Sequence, residues 1–156
     1  MSLTLAQLAT LKTAIIADPV AGPMRAAGDS YSLGVWCNGP STTLAWQTAV
    51  PAQVSDEAAT YTLFDSIIAG KRDSWGLFLG FGRDFTKAKI RNWVVDVWGT
   101  ALATSVSEAI LQAATAFATN AQAVFGGTLR TTGTVAAINR VYSEQITQTE
   151  LNQLVN

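Results

Sequence analysis

Ile90, Trp93, Val94, Val97 and Trp98 recur at i, i+3, i+4, i+7 and i+8, and Gly99 follows at once. Only an α-helix places such residues on one stripe, and two tryptophans on that stripe require a matching apolar surface. Asp84 or Thr86 is positioned to cap this helix. Gly99 can end it by adopting the left-handed conformation. The chain is therefore expected to pack helix against helix around an aromatic core. With 156 residues it has the length of one ordinary domain, and 49% hydrophobic residues are enough for a sizeable core.

Other helices are marked by local chemistry. Thr4 can cap a first helix carrying Leu5, Leu8, Lys12, Ile15 and Ile16, which Asp18-Pro19 stops, because the residue before proline is pushed out of the helical region. Residues 18–29, with two prolines and two glycines, read as a connection. Asp29 caps a short helix that Asn38-Gly39-Pro40 closes. Leu44 to Val50 alternates large with small or polar residues and reads as extended. Ser55 to Gly70 reads as a helix, continued or restarted over Lys71 to Leu79. Ser105-Val-Ser-Glu108 fits a capping box, and the helix it opens is expected to run to Phe125, with Ile110, Ala114, Phe117, Ala121 and Val124 on one face. Trp93, Val97 and Trp98 are expected to pack against Ile110, Phe117 and Val124.

The tail has another character. Thr128 to Thr134 is rich in Thr and Gly, and residues 134–142 read as β-like but ambiguous. Thr147-Gln-Thr-Glu150 repeats the capping-box pattern before a short terminal helix. Large apolar residues are sparse after residue 127. The fold class expected is therefore mainly α: a helical body over residues 1–127 and a Thr/Gly-rich C-terminal arm over 128–156, loosely held in an isolated subunit.

Charge and composition exclude several functions. Charged residues are 13%, about half the usual share, and ten basic against eleven acidic side chains leave a net charge of -1. A partner recruited mainly by charge, whether nucleic acid or an acidic membrane, is not expected. The sequence contains no histidine, the commonest general base and metal ligand. One cysteine, Cys37, supports neither an intrachain disulfide nor a thiolate cluster and reads as a small buried hydrophobe. No catalytic constellation, cofactor or metal site is expected. The start MSLTLAQLATLK does not resemble a signal peptide, and no apolar window is long enough for a membrane span.

Two clusters carry both a bland and a functional reading. Arg83, Lys87, Lys89 and Arg91 form either a solvated helix face or a contact for a phosphate or an acidic subunit. Lys71-Arg72-Asp73 with Trp75, Phe78, Phe81 and Phe85 fits either core packing or stacking on single-stranded nucleic acid.

The linear order of motifs adds a resemblance. A W-x-T-x-V-P segment (Trp46, Thr48, Val50, Pro51), an R-D-x-W helix (Arg72, Asp73, Trp75) and an I-R-x-x-x-x-D-x-x-G helix (Ile90, Arg91, Asp96, Gly99) precede an Ala-rich stretch and a Thr/Gly-rich tail. This pattern resembles a family of small proteins encoded in the structural-gene regions of tailed bacteriophages and prophages. The Ala-rich stretch AATAFATNAQAVF has no positive charge, whereas members of the family usually carry a basic helix there. The resemblance implies a virion structural protein, in the first place a head-to-tail adaptor forming a homo-oligomeric ring beneath the portal. It implies portal and tail proteins as partners, genomic DNA touched at most non-specifically, no membrane, and assembly in the host bacterial cytoplasm. Another virion or assembly component (tail tube, decoration, scaffold) is the alternative, and a soluble host-directed binding module a further one. Interaction positions expected on this basis are Arg72, Asp73, Lys87, Arg91, Asp96, Thr131, Thr132 and Tyr142.

Overall fold

The computed structural model describes residues 3–99, 104–126, 129–139 and 145–156. Tyr142 lies outside them. The described elements are mainly helical: α1 (Leu5–Ala17), α2 (Ala21–Ala26), α3 (Ser30–Asn38), β1 (Pro40–Trp46), α4 (Ala52–Ala58), a 3-10 turn (Tyr61–Ser66), α5 (Ala69–Leu79), α6 (Ala88–Trp98), α7 (Thr104–Ala113), β2 (Thr115–Thr119), α8 (Asn120–Phe125), β3 (Arg130–Thr132), β4 (Val135–Asn139) and α9 (Gln148–Val155). The strands follow the order β2-β1-β4-β3. β1 and β4 are parallel, with Ala45 opposite Ile138 and Trp46 opposite Asn139. β3 and β4 form an antiparallel hairpin whose turn uses Gly133 at φ 59°, a left-handed conformation that glycine adopts without penalty.

The chain divides into two compact units. One contains residues 1–43, 117–128 and 140–156; the other contains 44–116 and 129–139. The expected division at residue 127 is therefore replaced, and the expected arm is split. Its β3–β4 hairpin belongs to the second unit, where Val135 and Ala137 lie in the core. Its terminal helix α9 buries Leu151 and Leu154 in the first unit. A few apolar residues suffice because α1 and α3 supply the rest of that core.

In the first unit, Leu11, Ile15, Leu33, Cys37, Ala121, Leu151 and Leu154 form the core. α1 starts where expected: the Thr4 side chain accepts the Gln7 N–H while the Gln7 side chain accepts the Thr4 N–H. The stretch read as a connection holds α2, because the Asp18 carboxylate accepts the Val20 and Ala21 N–H groups, each at 2.8 Å. Asn38 exchanges two amide hydrogen bonds with the backbone of Ile146, at 3.2 and 2.8 Å. Glu150, buried in α9, accepts the Leu3 N–H at 2.6 Å and the Thr147 N–H at 2.8 Å. α9 and α3 meet at Gly34, where an added Cβ would stand 2.8 Å from Leu151 Cδ1.

In the second unit the core is aromatic. Trp75 stacks on Phe78 at 4.8 Å and meets Trp98 edge-on at 5.4 Å. Val94, Val97 and Trp98 of α6 are buried, and α6 packs against α7 with its Ile110 and Leu111. The rest of the expected packing differs. Trp93 is half-buried and donates its Nε1–H to Ser74 at 2.6 Å. Phe117 is 63% exposed, and Val124 packs in the first unit.

The single long helix expected over 105–125 is interrupted by β2. The Thr115 hydroxyl donates to the Gln112 carbonyl, and Thr119 opens a new capping box with Gln122. Two threonines thus offer the backbone alternatives to helical bonding. α7 already includes Thr104, so Ser105 lies within the helix rather than before it. The helix read over 55–70 is likewise broken. The Tyr61 hydroxyl bonds back to Asp56, and the backbone is extended at the β-branched Ile67 and Ile68. Lys87, not Asp84 or Thr86, is the N-cap of α6, while Asp84 holds the preceding turn through the Thr86 N–H at 3.0 Å. Gly99 ends α6 at φ −78°, not in the left-handed region. It is needed for closeness: a Cβ there would fall 2.1 Å from the Val95 carbonyl oxygen.

Gly34→Val is expected to destabilise the first unit by about 1–3 kcal/mol through overpacking. Adding Leu151→Ala should recover part of that loss, because it removes the clashing methyl group. Chemical denaturation of the three variants checks this, and no recovery in the double variant would contradict the close packing of α3 on α9.

Candidate functional site

Arg91 sits in α6, on the face turned toward β3, and is 3% exposed. A buried guanidinium needs acceptors, since removing its charge from water is costly. Its Nε–H donates to Thr132 Oγ1 at 3.0 Å and its Nη1 to the Phe85 carbonyl at 2.6 Å. Its Cζ lies 4.8 Å from the centre of the Trp46 ring, a cation–π distance. Trp46 Nε1–H in turn donates to the Arg130 carbonyl at 3.2 Å. Burial pulls the Arg91 pKa below the usual arginine value, and the positive charge of Arg130 lowers it further.

The site extends through backbone bonds. The Phe85 N–H donates to the Gln47 carbonyl at 3.0 Å. The Gln47 side chain donates to the Thr115 carbonyl at 3.1 Å. One buried cation thus links β1, the turn before α6, β3 and the start of β2.

The sequence candidates separate into distinct environments. Arg91 and Thr132 come together as described. Lys87 does not join them: it is exposed and lies 3.8 Å from Asp84. Arg83 leaves the expected basic cluster too. Its Nε donates to the Phe78 carbonyl at 3.0 Å, and its Cζ lies 5.2 Å from the centres of both the Phe78 and Trp93 rings. The four cations therefore do not form a shared basic face. Arg72 pairs with Asp65 at 3.2 Å, and Lys71 with Asp96 at 2.8 Å, both at the surface, where such pairs contribute little. Asp73 and Thr131 are exposed. Of the aromatic run, Trp75, Phe78 and Phe85 are core residues and only Phe81 is exposed, at 72%.

Sequence reading passed over two features. Arg130 and Trp46 lie far from Arg91 along the chain, and no local spacing brings them together. Tyr31 and Val35, four residues apart on α3, are 79% and 60% exposed. Hollows lie on either side of this ridge, one lined by Met24, Ser32 and Trp36 and the other by Gly34, Asn38, Ile146 and Gln148. The i, i+4 spacing was available as a signal. Among the described residues, no three His, Cys, Asp or Glu side chains converge as for a metal ion, and no helix is long and apolar enough to cross a membrane.

Cys37 is fully buried, and burial pushes its thiol up to about 12. The folded value lies above the ordinary 9.0, so the buried thiol's contribution to stability is full below pH 9. It is lost as pH rises from there through about 12, because the unfolded chain releases the proton first. Cys37 should therefore be inert to a maleimide at pH 8 in the native protein and react on unfolding; rapid native labelling would contradict its placement. Comparison of the chain with protein-family models, with curated proteins and with solved structures finds no match.

Proposed function

We propose that this chain is a bacteriophage virion structural protein, a head-to-tail adaptor whose copies form a ring beneath the portal and contact portal and tail proteins. The observation that carries this reading is that each unit presents its own exposed apolar pair. Tyr31 and Val35 on α3 are 79% and 60% exposed in the first unit. Leu77 and Phe81, at the end of α5 and just beyond it, are 69% and 72% exposed in the second. Exposed apolar patches of this kind mark interaction surfaces. A closed ring built by a heterologous contact uses two different surfaces of each subunit, one meeting the other on the next copy.

The low charge fraction of 13% fits such contacts, whose centres are depleted in charge. The resemblance of the Trp46, Arg72 and Ile90-Arg91 segments to phage structural-region proteins supplies the virion context. The predominance of helix weighs toward an adaptor and away from a strand-rich tail-tube subunit. In this reading the protein acts by assembly rather than catalysis, and DNA passing through the ring is met at most non-specifically.

Native mass spectrometry and negative-stain electron microscopy of concentrated protein test the reading. A closed ring of 16.5 kDa subunits is the expected species. Tyr31→Asp and Phe81→Asp should each convert it to folded monomer, because either surface is needed for closure. A wild-type chain that remains monomeric, or rings that survive both substitutions, would contradict the proposal.

A further inference from the structure

The Asn38-Gly39-Pro40 sequence that closes α3 carries a chemistry that the fold does not use. It holds the one Asn-Gly pair in the sequence. Asparagine is a labile side chain, and most so before glycine, which has no Cβ to shield its own amide nitrogen from the neighbouring carboxamide. In that reaction the Gly39 backbone nitrogen loses its proton to hydroxide and bonds to the Asn38 Cγ. The Cγ–Nδ2 bond breaks, Nδ2 takes a proton from water and leaves as ammonia, and a succinimide ring remains. Water then opens the ring at either carbonyl, giving aspartate or isoaspartate. The sum is the gain of one water and the loss of one ammonia.

Three hydrogen bonds hold the pair away from this reaction. Asn38 is the last residue of α3, and the Gly39 N–H donates to the Trp36 carbonyl at 3.1 Å. The nitrogen that would attack is therefore tied back into the final turn of the helix. The Asn38 side chain is spent at both ends on one residue: Nδ2 donates to the Ile146 carbonyl at 3.2 Å, and Oδ1 accepts the Ile146 N–H at 2.8 Å. Ile146 is buried and directly precedes Thr147, the N-cap of α9. Water is close at hand, because Asn38 is only half-buried and, with Ile146 and Gln148, lines a hollow of about 350 Å³. The glycine is fixed by packing, since a Cβ on it would stand 2.8 Å from the Val35 carbonyl oxygen. Packing thus keeps the reactive pair in place, and the seating of α9 keeps it unreactive.

We infer that Asn38 is a latent modification site, a succinimide-forming asparagine controlled by the seating of α9. When α9 lifts and takes Ile146 with it, the amide pair opens, the carboxamide turns toward the Gly39 nitrogen and the ring closes. The change then maintains itself. An aspartate accepts the Ile146 N–H but has no donor for its carbonyl, and it sets a carboxylate against that oxygen. An isoaspartate adds a methylene to the backbone at the end of α3. Either product weakens the hold on α9.

Incubation of the full chain in mildly alkaline buffer tests this, with peptide mass mapping to read deamidation at Asn38. The wild type should deamidate there at least about tenfold more slowly in buffer than in urea, as expected of a group exposed only by local opening. Thr147→Ala removes the N-cap of α9 and should speed the reaction in buffer about fivefold, the shift in opening that losing such a cap brings. Thr132→Val, in the second unit, should leave the rate unchanged. Asn38→Asp, which carries the carboxylate of the product, should lower the hydrogen-exchange protection of the Leu151 amide. Equal rates in buffer and urea, a Thr147→Ala rate no different from the wild type, equal acceleration by Thr132→Val, or unchanged Leu151 protection in Asn38→Asp would each overturn the inference.

Discussion

The second unit depends on how one buried cation is satisfied. Arg91 is 3% exposed and forms no ion pair with a carboxylate among the described residues. Its charge is met by a hydroxyl on β3, a carbonyl in the turn before α6 and the face of Trp46 on β1. An interior charge costs several kcal/mol to desolvate, so these acceptors must be held in place by other bonds. Phe85 is held by Gln47, and Gln47 by the carbonyls at the end of α7. The Trp75, Phe78 and Trp98 cluster fills the rest of the core. The order in which the strands line up is thus tied to a polar requirement as well as to apolar burial.

What the sequence makes legible is chemistry completed within about four residues. The Thr4 cap, the Asp29 cap, the Thr147–Glu150 box and the stop at Asp18-Pro19 all recur in the structure. So does the i, i+4 stripe of α6, with Val94, Val97 and Trp98 buried and Ile90 and Trp93 at its half-buried edge. Features set by distant partners were not legible. Residues 129–139 look too polar to form a core, yet β4 is placed by pairing with β1. Leu151 and Leu154 look too few, yet Gly34 lets α9 approach α3 closely enough to bury them.

The break at 115–119 is instructive in another way. Its Thr119-x-x-Gln122 box has the same form as Thr4-x-x-Gln7, so the local signal was present. Its alanine-rich surroundings favour continued helix, but two threonines divert the backbone. The candidate site follows the same rule. Arg91, Thr132 and Trp46 each stand in a recognisable motif, but only the fold shows that they form one site. The basic cluster read from Arg83 to Arg91 dissolves because the chain turns at Asp84 and sends Arg83 to the Phe78 and Trp93 rings and Arg91 to Trp46.

The central claim, that Arg91 and β3 support one another through the Thr132 hydroxyl, is tested most directly by a double-mutant cycle. Arg91→Lys removes the guanidinium fork while keeping the charge, and Thr132→Val removes the hydroxyl with little change in volume. Unfolding free energies of the wild type, both single variants and the double variant give the coupling between the two groups. The structure predicts a coupling of about 1–3 kcal/mol, as for a buried hydrogen bond to a charged group. Additive effects of the two substitutions would contradict it.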